Sequence, residues 1–483
     1  MDKPADTSSE TIGDLGSGDL DLNTLGANQP SLAILREEIL EKVAAYARLR
    51  WQPQPFIPGK TPAPYAGRVF DEREVVSLVD SGLDFWLTSG RFSRQLEKGL
   101  ADYVGVSDCH LVNSGSSANL VAFSTLTSPH LGERRIRRGD EVITVAAGFP
   151  TTVAPIVQYG AVPVFVDVDP VTDNIDTSML AEALSSRTRA VMVAHTLGNP
   201  FDIDSIVEFC NKNELWFIED NCDALGSEYE TRLGDSPLIK RTGSFGHLST
   251  SSFYPAHQMT TGEGGAVYTN DPELAVIAAS FRDWGRDCYC APGRSNTCGK
   301  RFEHCLGDLP TGYDHKYTYS HFGYNLKMTD MQAAVGVAQL EKLPSFVESR
   351  RQNFQYLKES LSPFAHVLRL PEATAFSDPS WFGFLVSVQP AARQAISRDV
   401  IVAALENARV QTRMLFAGNL VRQPCFDEMR STGQGYRQIG NLENADSLMN
   451  HAFWFGVYPG MTNDHLDHIV MTIQKCITNA GLA

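Results

Sequence analysis

Ser251-Ser252-Phe253-Tyr254-Pro255-Ala256-His257-Gln258-Met259-Thr260-Thr261-Gly262-Glu263-Gly264-Gly265 is the stretch on which the reading of this 483-residue chain turns. It opens inside an apolar run, Leu248–Tyr254, breaks at Pro255 and closes in a Gly-rich turn, the pattern of a strand running into a loop. At its centre stands an imidazole, which titrates near ~6.5 and moves protons at neutral pH. No lysine occurs between Lys240 and Lys300. The loop therefore offers a proton carrier and no amine.

Upstream, further apolar runs recur between helical stretches: His110–Asn113, Glu141–Ala146, Pro163–Val168, Ala190–His195 and Trp216–Asp220. Several are continuous rather than alternating, as in strands buried on both faces of a mostly parallel sheet. An α/β layered domain follows, with ligands expected at the carboxyl ends of its strands. Residues 1–30 read as a disordered acidic leader. In 31–68, an amphipathic helix carrying Leu32, Leu35, Ile39, Val43 and Tyr46 runs into a Pro-rich arm, Trp51–Pro64. The large domain spans 69–343 and ends on a helical pattern at Met328–Leu343. Helical patterns at Arg351–Leu361 and Val400–Ala408, with apolar runs at His366–Leu370 and Phe382–Val388, make 344–483 a smaller α+β domain.

A composition of 43% hydrophobic and 20% charged residues is that of a soluble globular protein. Lys+Arg numbers 41 against 57 Asp+Glu, a formal charge of -16, which argues against nucleic acid or an anionic membrane as partner. A small anionic substrate needs only a local basic pocket. No run reaches the ~18 apolar residues of a membrane helix, and the N-terminus lacks the basic start and apolar run of a secretory signal. The expected location is the cytoplasm. Of nine cysteines, Cys288, Cys290, Cys298 and Cys305 fall close together. In a reducing compartment such clustering points to a metal or cluster site more than to disulfides.

Three turns carry possible chemistry. Asn113-Ser114-Gly115-Ser116-Ser117-Ala118-Asn119 exposes backbone N–H groups where a helix begins, a ready anion site, though many α/β proteins have such a turn. Phe149, in Gly148-Phe149-Pro150-Thr151-Thr152, suits stacking on a flat ring or simple core packing. Ile218-Glu219-Asp220-Asn221-Cys222-Asp223-Ala224 puts carboxylates at a strand end, where one could hold a pyridinium nitrogen protonated or cap a helix. Together with Ser251–Gly265 and Gly323-Tyr324-Asn325-Leu326-Lys327-Met328-Thr329-Asp330-Met331-Gln332-Ala333-Ala334, these turns resemble the fold-type-I pyridoxal-phosphate (PLP) enzymes, specifically the DegT/DnrJ/EryC sugar aminotransferase and dehydrase family. The resemblance runs from about Val69 to the C-terminus. It implies a mostly parallel seven-stranded sheet flanked by helices, plus the smaller C-terminal domain.

Aminotransferases of this family carry a Schiff-base lysine where this sequence has His257. The 3-dehydrase subfamily carries a histidine there, commonly in Ala-His-His; here the order is Ala256-His257-Gln258, and His257 keeps the lysine's register. The resemblance thus implies pyridoxamine 5'-phosphate (PMP) held non-covalently, with His257 as base. Cys288-Tyr289-Cys290 followed by Cys298 gives C-x-C-x7-C, which alone suits zinc as well as iron–sulfur. Within the family it marks the [2Fe-2S] CDP-4-keto-6-deoxyglucose 3-dehydrases. The implied fourth ligand is Cys222, with Cys305 as competitor, and 285–320 becomes a cluster-binding insert. An apparent insertion at Gly234–Arg241 is expected in a surface loop, and Cys109, Cys210, Cys425 and Cys476 as buried fillers.

The same carry-over gives Ser116, Ser117 and Ser252 to the cofactor phosphate, Phe149 to the ring face, Asp220 to the ring nitrogen and Asp223 to the 3-hydroxyl. Asn325 is expected at the phosphate of a second subunit of a homodimer, and Arg413 and Arg422 at a nucleotide diphosphate. The implied activity removes the 3-hydroxyl of an NDP-4-keto-6-deoxyhexose, with electrons from a flavin or iron–sulfur reductase or a ferredoxin. Two other readings remain: a cluster-free dehydrase that takes its amine from glutamate, and a zinc-binding pseudoenzyme.

Overall fold

Continuous apolar runs between helices build a layered sheet, because neither face of such a strand can be left in water. In the computed structural model, residues 31–288, 290, 293–297 and 299–482 are described; the leader 1–30 and Cys298 lie outside them. The strands, in chain order, are β1 (Asp108–Val112), β2 (Glu141–Val145), β3 (Val162–Val166), β4 (Thr188–Ala194), β5 (Trp216–Asp220), β6 (Glu228–Thr231), β7 (Leu238–Arg241), β8 (Leu248–Ser252) and β9 (Gly265–Thr269). Seven of them form the central sheet in the order β1-β9-β8-β5-β4-β2-β3. β2, β3, β4, β5 and β8 pair in parallel, whereas β9 is antiparallel to both β1 and β8. An eighth strand, Arg437–Gln438, comes from the C-terminal part and adds in parallel beside β3. The expected seven strands are thus extended by a short outer one.

Four sequence expectations need correction. The insertion at Gly234–Arg241 is not an irregular loop: β7 pairs with β6 as a hairpin, to which Ser377–Asp378 adds a third strand. The N-terminal helix α1 (Leu32–Arg50) is present, but its apolar stripe is poorly covered; Leu32, Leu35 and Tyr46 are exposed and Ala47 is its buried residue. α1 packs on α2 (Glu72–Asp84), through Arg36 to Asp80 and Asp84 at 2.6 and 2.7 Å, and that contact leaves most of the stripe uncovered among the described residues. Cys425 is exposed, since in the turn Pro424–Phe426 it is Phe426 that points inward. Finally, the junction read at 343/344 lies inside one helix, Asp330–Leu361, which continues through Pro344.

That long helix is anchored at both of its working points. Thr329 and Gln332 form a capping box at its start. Further along, the Lys342 ammonium, 8% exposed, meets Glu74 of α2, 5% exposed, at 2.6 Å, and Gln339 adds a hydrogen bond of 2.7 Å to the same carboxylate. Removing one partner strands the other charge away from water. Lys342→Met is therefore expected to lower the unfolding free energy by about 3–5 kcal/mol, measured by urea denaturation. The double variant with Glu74→Gln recovers part of that loss.

Beyond the helix, Leu368–Arg369, Gly383–Val388, Ala452–Gly456 and Thr412–Arg413 form an antiparallel sheet. Its core contains Phe384, Phe453, Phe455, Ile401 and Ile469. The described residues of the 285–320 segment join the large domain at one narrow neck, and Gly293 reaches back against Trp86. Gly285, at φ +80°, lies against the backbone of His321 and Gly323 so closely that neither glycine has room for a Cβ. Bridges between Asp283 and Asn325 and between Arg286 and Tyr319 close the neck from both sides. No helix among the described residues is long and apolar enough to cross a membrane.

Candidate active site

The carboxyl ends of β5 and β8, the start of helix Gly115–Thr125 and the C-terminal sheet enclose a cavity of about 540 Å³. Of the residues singled out from sequence, Ser116, Phe149, Asp220, Cys222, Asp223, Ser252, His257 and Arg413 line it. Ser117, Asn325 and Arg422 do not. The Ser117 N–H donates to the Ser114 cap at 3.0 Å and its hydroxyl to Asn113 Oδ1 at 2.7 Å. Asn325 accepts from Lys327 Nζ at 3.0 Å, and Arg422 is committed to Asp446 at 2.8 Å.

At the floor, the buried Asp220 carboxylate accepts from Asn119 Nδ2 at 2.8 Å and Thr152 Oγ1 at 2.7 Å. The Cys222 N–H at 3.1 Å and Thr250 Oγ1 at 3.4 Å complete its shell. It is held as a fixed hydrogen-bond acceptor, not as a helix cap. Gly115 lets the helix start pass directly over Ser252, whose side chain occupies the space a Cβ would need. The exposed hydroxyl of Ser116 and the helix N–H groups face the same end, an arrangement that favours an anion. Phe149 is half exposed above the cavity, edge-on to Phe416.

His257 is set by its backbone. Its N–H donates to the Tyr254 carbonyl at 2.9 Å, and its own carbonyl accepts from the fully buried Arg350 at 3.1 Å. Burial, with the Arg350 cation, pushes the imidazole pKa down to about 3, so it stands as a neutral base. Its Nδ1 is buried without a hydrogen bond among the described residues, and Asp223 Oδ1 lies 3.5 Å away. Burial and the Asp220 charge push Asp223 up to about 8, against the Arg350 cation and the Leu197 N–H. Gln258, where the subfamily commonly has a second histidine, is buried and donates to the carbonyls of Asp223 and Ser380. Its role is to tie the turn down, which leaves His257 alone facing the cavity.

Cys222 is half-buried at the cavity wall, its thiol pushed well above the ordinary value by desolvation and by Asp220. In the insert, the Cys290 N–H points at Cys288 Sγ and the Thr297 N–H at Cys290 Sγ, each at 3.4 Å. Against its burial, the Thr297 hydrogen bond and the Lys316 cation hold Cys290 below the usual thiol value. Among the described residues no three His, Cys, Asp or Glu side chains gather as a metal site, and Cys298 lies outside them. Cys305 is exposed, near the Leu309 carbonyl.

Sequence reasoning missed much of the wall: Tyr65, Phe382, Met414, Phe416 and Trp454 come from the arm and the C-terminal domain and carry no local motif. Asn119 and Thr152 sat inside the motifs quoted above and were open to recognition as partners for a strand-end carboxylate.

Known proteins share this architecture. RfbH, a lipopolysaccharide biosynthesis protein of Salmonella typhimurium, is 52% identical over 91% of this chain and 98% of its own. The dTDP-4-dehydro-2,6-dideoxy-D-glucose 3-dehydratase of Saccharopolyspora spinosa is 49% identical over 92% of this chain and 93% of its own. Among solved structures, E. coli GDP-4-keto-6-deoxy-D-mannose-3-dehydratase with bound hydrated PLP superposes with a TM-score of 0.74 at 27% identity, covering 85% of this chain and 99% of that one. The architecture is the fold-type-I α/β arrangement of the PLP-dependent transferases. The family match extends over residues 69–474, from the first helix of the large domain to the last helix of the small one, and the chain belongs to the DegT/DnrJ/EryC1/StrS aminotransferase family.

Proposed function

We propose that this chain is a PMP-dependent 3-dehydrase of an NDP-4-keto-6-deoxyhexose, carrying a [2Fe-2S] cluster and serving the synthesis of a 3,6-dideoxy- or polydeoxysugar. The observation that carries the reading is the cavity's inventory: a neutral histidine and, among the described lining residues, no lysine. A site without that amine cannot hold PLP as an internal imine, and a free amine form of the cofactor suits it. The 3-dehydratase names of two relatives support the same class.

The residues fit the cofactor. Asp220 offers a charged acceptor for a ring nitrogen, Phe149 a ring face, and Ser116, Ser252 and the helix start an anion cradle. Asn325 and Ser117 are proposed to serve the phosphate as well, Asn325 from the second subunit of a homodimer, and Asp223 to approach the ring hydroxyl. When bound, the group supplies an amine for the sugar ketone and an aromatic system that takes up an electron pair. His257 would accept a proton at the cofactor's C4′ carbon as the neutral base that faces the cavity. Asp220 would hold a proton on the ring nitrogen, and the tight donor shell keeps it in place. Asp220→Asn is accordingly expected to cut kcat at least about 10²-fold while the protein stays folded, checked by steady-state rates and circular dichroism.

Cys222, Cys288, Cys290 and Cys298 are the proposed ligands of the cluster. N–H groups aimed at the Cys288 and Cys290 sulfurs are the kind of hydrogen bonding that tunes iron–sulfur centres. A flavin or iron–sulfur reductase, or a ferredoxin, would feed it electrons. The test is turnover by anaerobically purified enzyme of CDP- and dTDP-4-keto-6-deoxyglucose, with NADH and such a reductase, read by mass spectrometry as loss of the C3 oxygen. Product formed only with glutamate would transfer the enzyme to the cluster-free class; none under either condition would sink the dehydrase reading.

A further inference from the structure

Arg350, on the long helix Asp330–Leu361, is 2% exposed. Among the described residues no carboxylate pairs with it, and Asp223 acts on it only through space. Desolvating a cation without such a partner is unfavourable, and an apolar side chain would fill the same space at less cost. Stability alone does not account for a guanidinium here.

Its donors go to four main-chain carbonyls. Nη1 reaches Trp381 at 3.0 Å and Phe382 at 3.4 Å, and Nη2 reaches His257 at 3.1 Å and Ala256 at 3.5 Å. The first pair leads into the strand Gly383–Val388, and the second belongs to the turn that carries the imidazole. A guanidinium is planar and its donors form a fixed fork, so it holds the two pairs at one spacing. The residues it joins meet again through their side chains: the His257 and Phe382 rings lie 5.2 Å apart, tilted by 46°. Both line the cavity. Phe382 is fixed independently, its N–H donating to the Leu197 carbonyl at 2.8 Å. Gln258 adds a neighbouring link to the Ser380 carbonyl at 3.0 Å. One link leaves a turn free to pivot; two fix its angle.

We infer that Arg350 is a positioning residue for His257: its guanidinium locks the turn Ala256-His257 to Trp381-Phe382, and its charge faces the imidazole from behind. This rests on the reading of His257 as the base. From the other elements the ring is faced by Asp223 at 3.5 Å and, around the cavity, by Asp220, Cys222, Tyr254, Glu263 and Arg413. Ionised carboxylates favour an imidazolium. Burial and the Arg350 cation oppose them and keep the ring free to accept a proton.

Two variants separate the fork from the charge. Arg350→Lys keeps a cation without the fork, and Arg350→Gln removes the charge. On PMP-loaded enzyme, Arg350→Gln is expected to lower kcat about 10- to 100-fold, the effect of a misplaced group, with KM and PMP affinity within about twofold. Arg350→Lys should recover only part of that rate. A second readout needs no turnover: the ring signal of His257 in holoenzyme with isotope-labelled histidine, identified as the one lost in His257→Asn. From about pH 8 to about pH 5 it should stay that of a neutral ring in wild type and Arg350→Lys. In Arg350→Gln its protonation should move up by about 1 pH unit or more, into that window. An unchanged signal in Arg350→Gln would overturn the role of the charge, and an unchanged kcat that of the fork. Failure of both variants to fold, by circular dichroism, would make Arg350 a residue of the fold alone and overturn the assignment. Should His257→Asn keep the wild-type rate, the base reading falls, and the ring signal still decides whether Arg350 sets that imidazole.

Discussion

His257→Asn is expected to lower kcat by about 10²- to 10⁴-fold, the range set by losing a general base, with little change in cofactor affinity. The fold should survive, because the turn is held by backbone groups: the His257 N–H on Tyr254 and its carbonyl under Arg350. Asparagine keeps those bonds and much of the side-chain volume, but it has no nitrogen able to take a proton. Single-turnover kinetics on enzyme loaded with PMP separates this from a binding defect. A variant that turns over at the wild-type rate would remove His257 from proton transfer and shift attention to Asp223, the neighbouring carboxyl 3.5 Å away.

The second large effect is expected at the cysteines. Anaerobically purified wild type should hold about two irons and two sulfides per chain with a brown absorbance, and Cys290→Ser should lose the colour, the iron and reductase-dependent turnover together. The cofactor cavity, which Cys290 does not line, should bind PMP as before. A wild type that carries zinc in place of iron would refute the cluster. Cys222→Ser and Cys305→Ser, run alongside, distinguish the two candidates for the fourth ligand by which one costs iron.

Where the sequence was legible, it was so for physical reasons. A strand covered on both faces is written as an unbroken apolar run, and Trp216–Asp220 could be read residue for residue. Ligand groups gather at the carboxyl ends of such strands, which made Phe149, Asp220 and Ser116 readable from their turns. β9 escaped notice because its apolar residues are few and follow two glycines that read as loop. The long helix was split in two because Pro344 removes one backbone donor, a loss that buried Leu343, Phe346 and Val347 outweigh by packing. Arg422 lies outside the cavity and pairs with Asp446, 24 residues further along, an ion pair that no local pattern announces. Tyr65 and Trp454 meet only because two domains and an arm converge, which a linear pattern cannot encode.

The glycine neck at Gly285 and Gly323 has a meaning for engineering. The segment's ends meet at one point, and each doubling of a flexible loop closed there costs only about 0.6 kcal/mol. The cysteine-bearing excursion is therefore a cassette. It can be lengthened at that seam without displacing the strands below, whereas excising it would also strip Trp86 of its contact with Gly293 and Cys222 of its proposed partners.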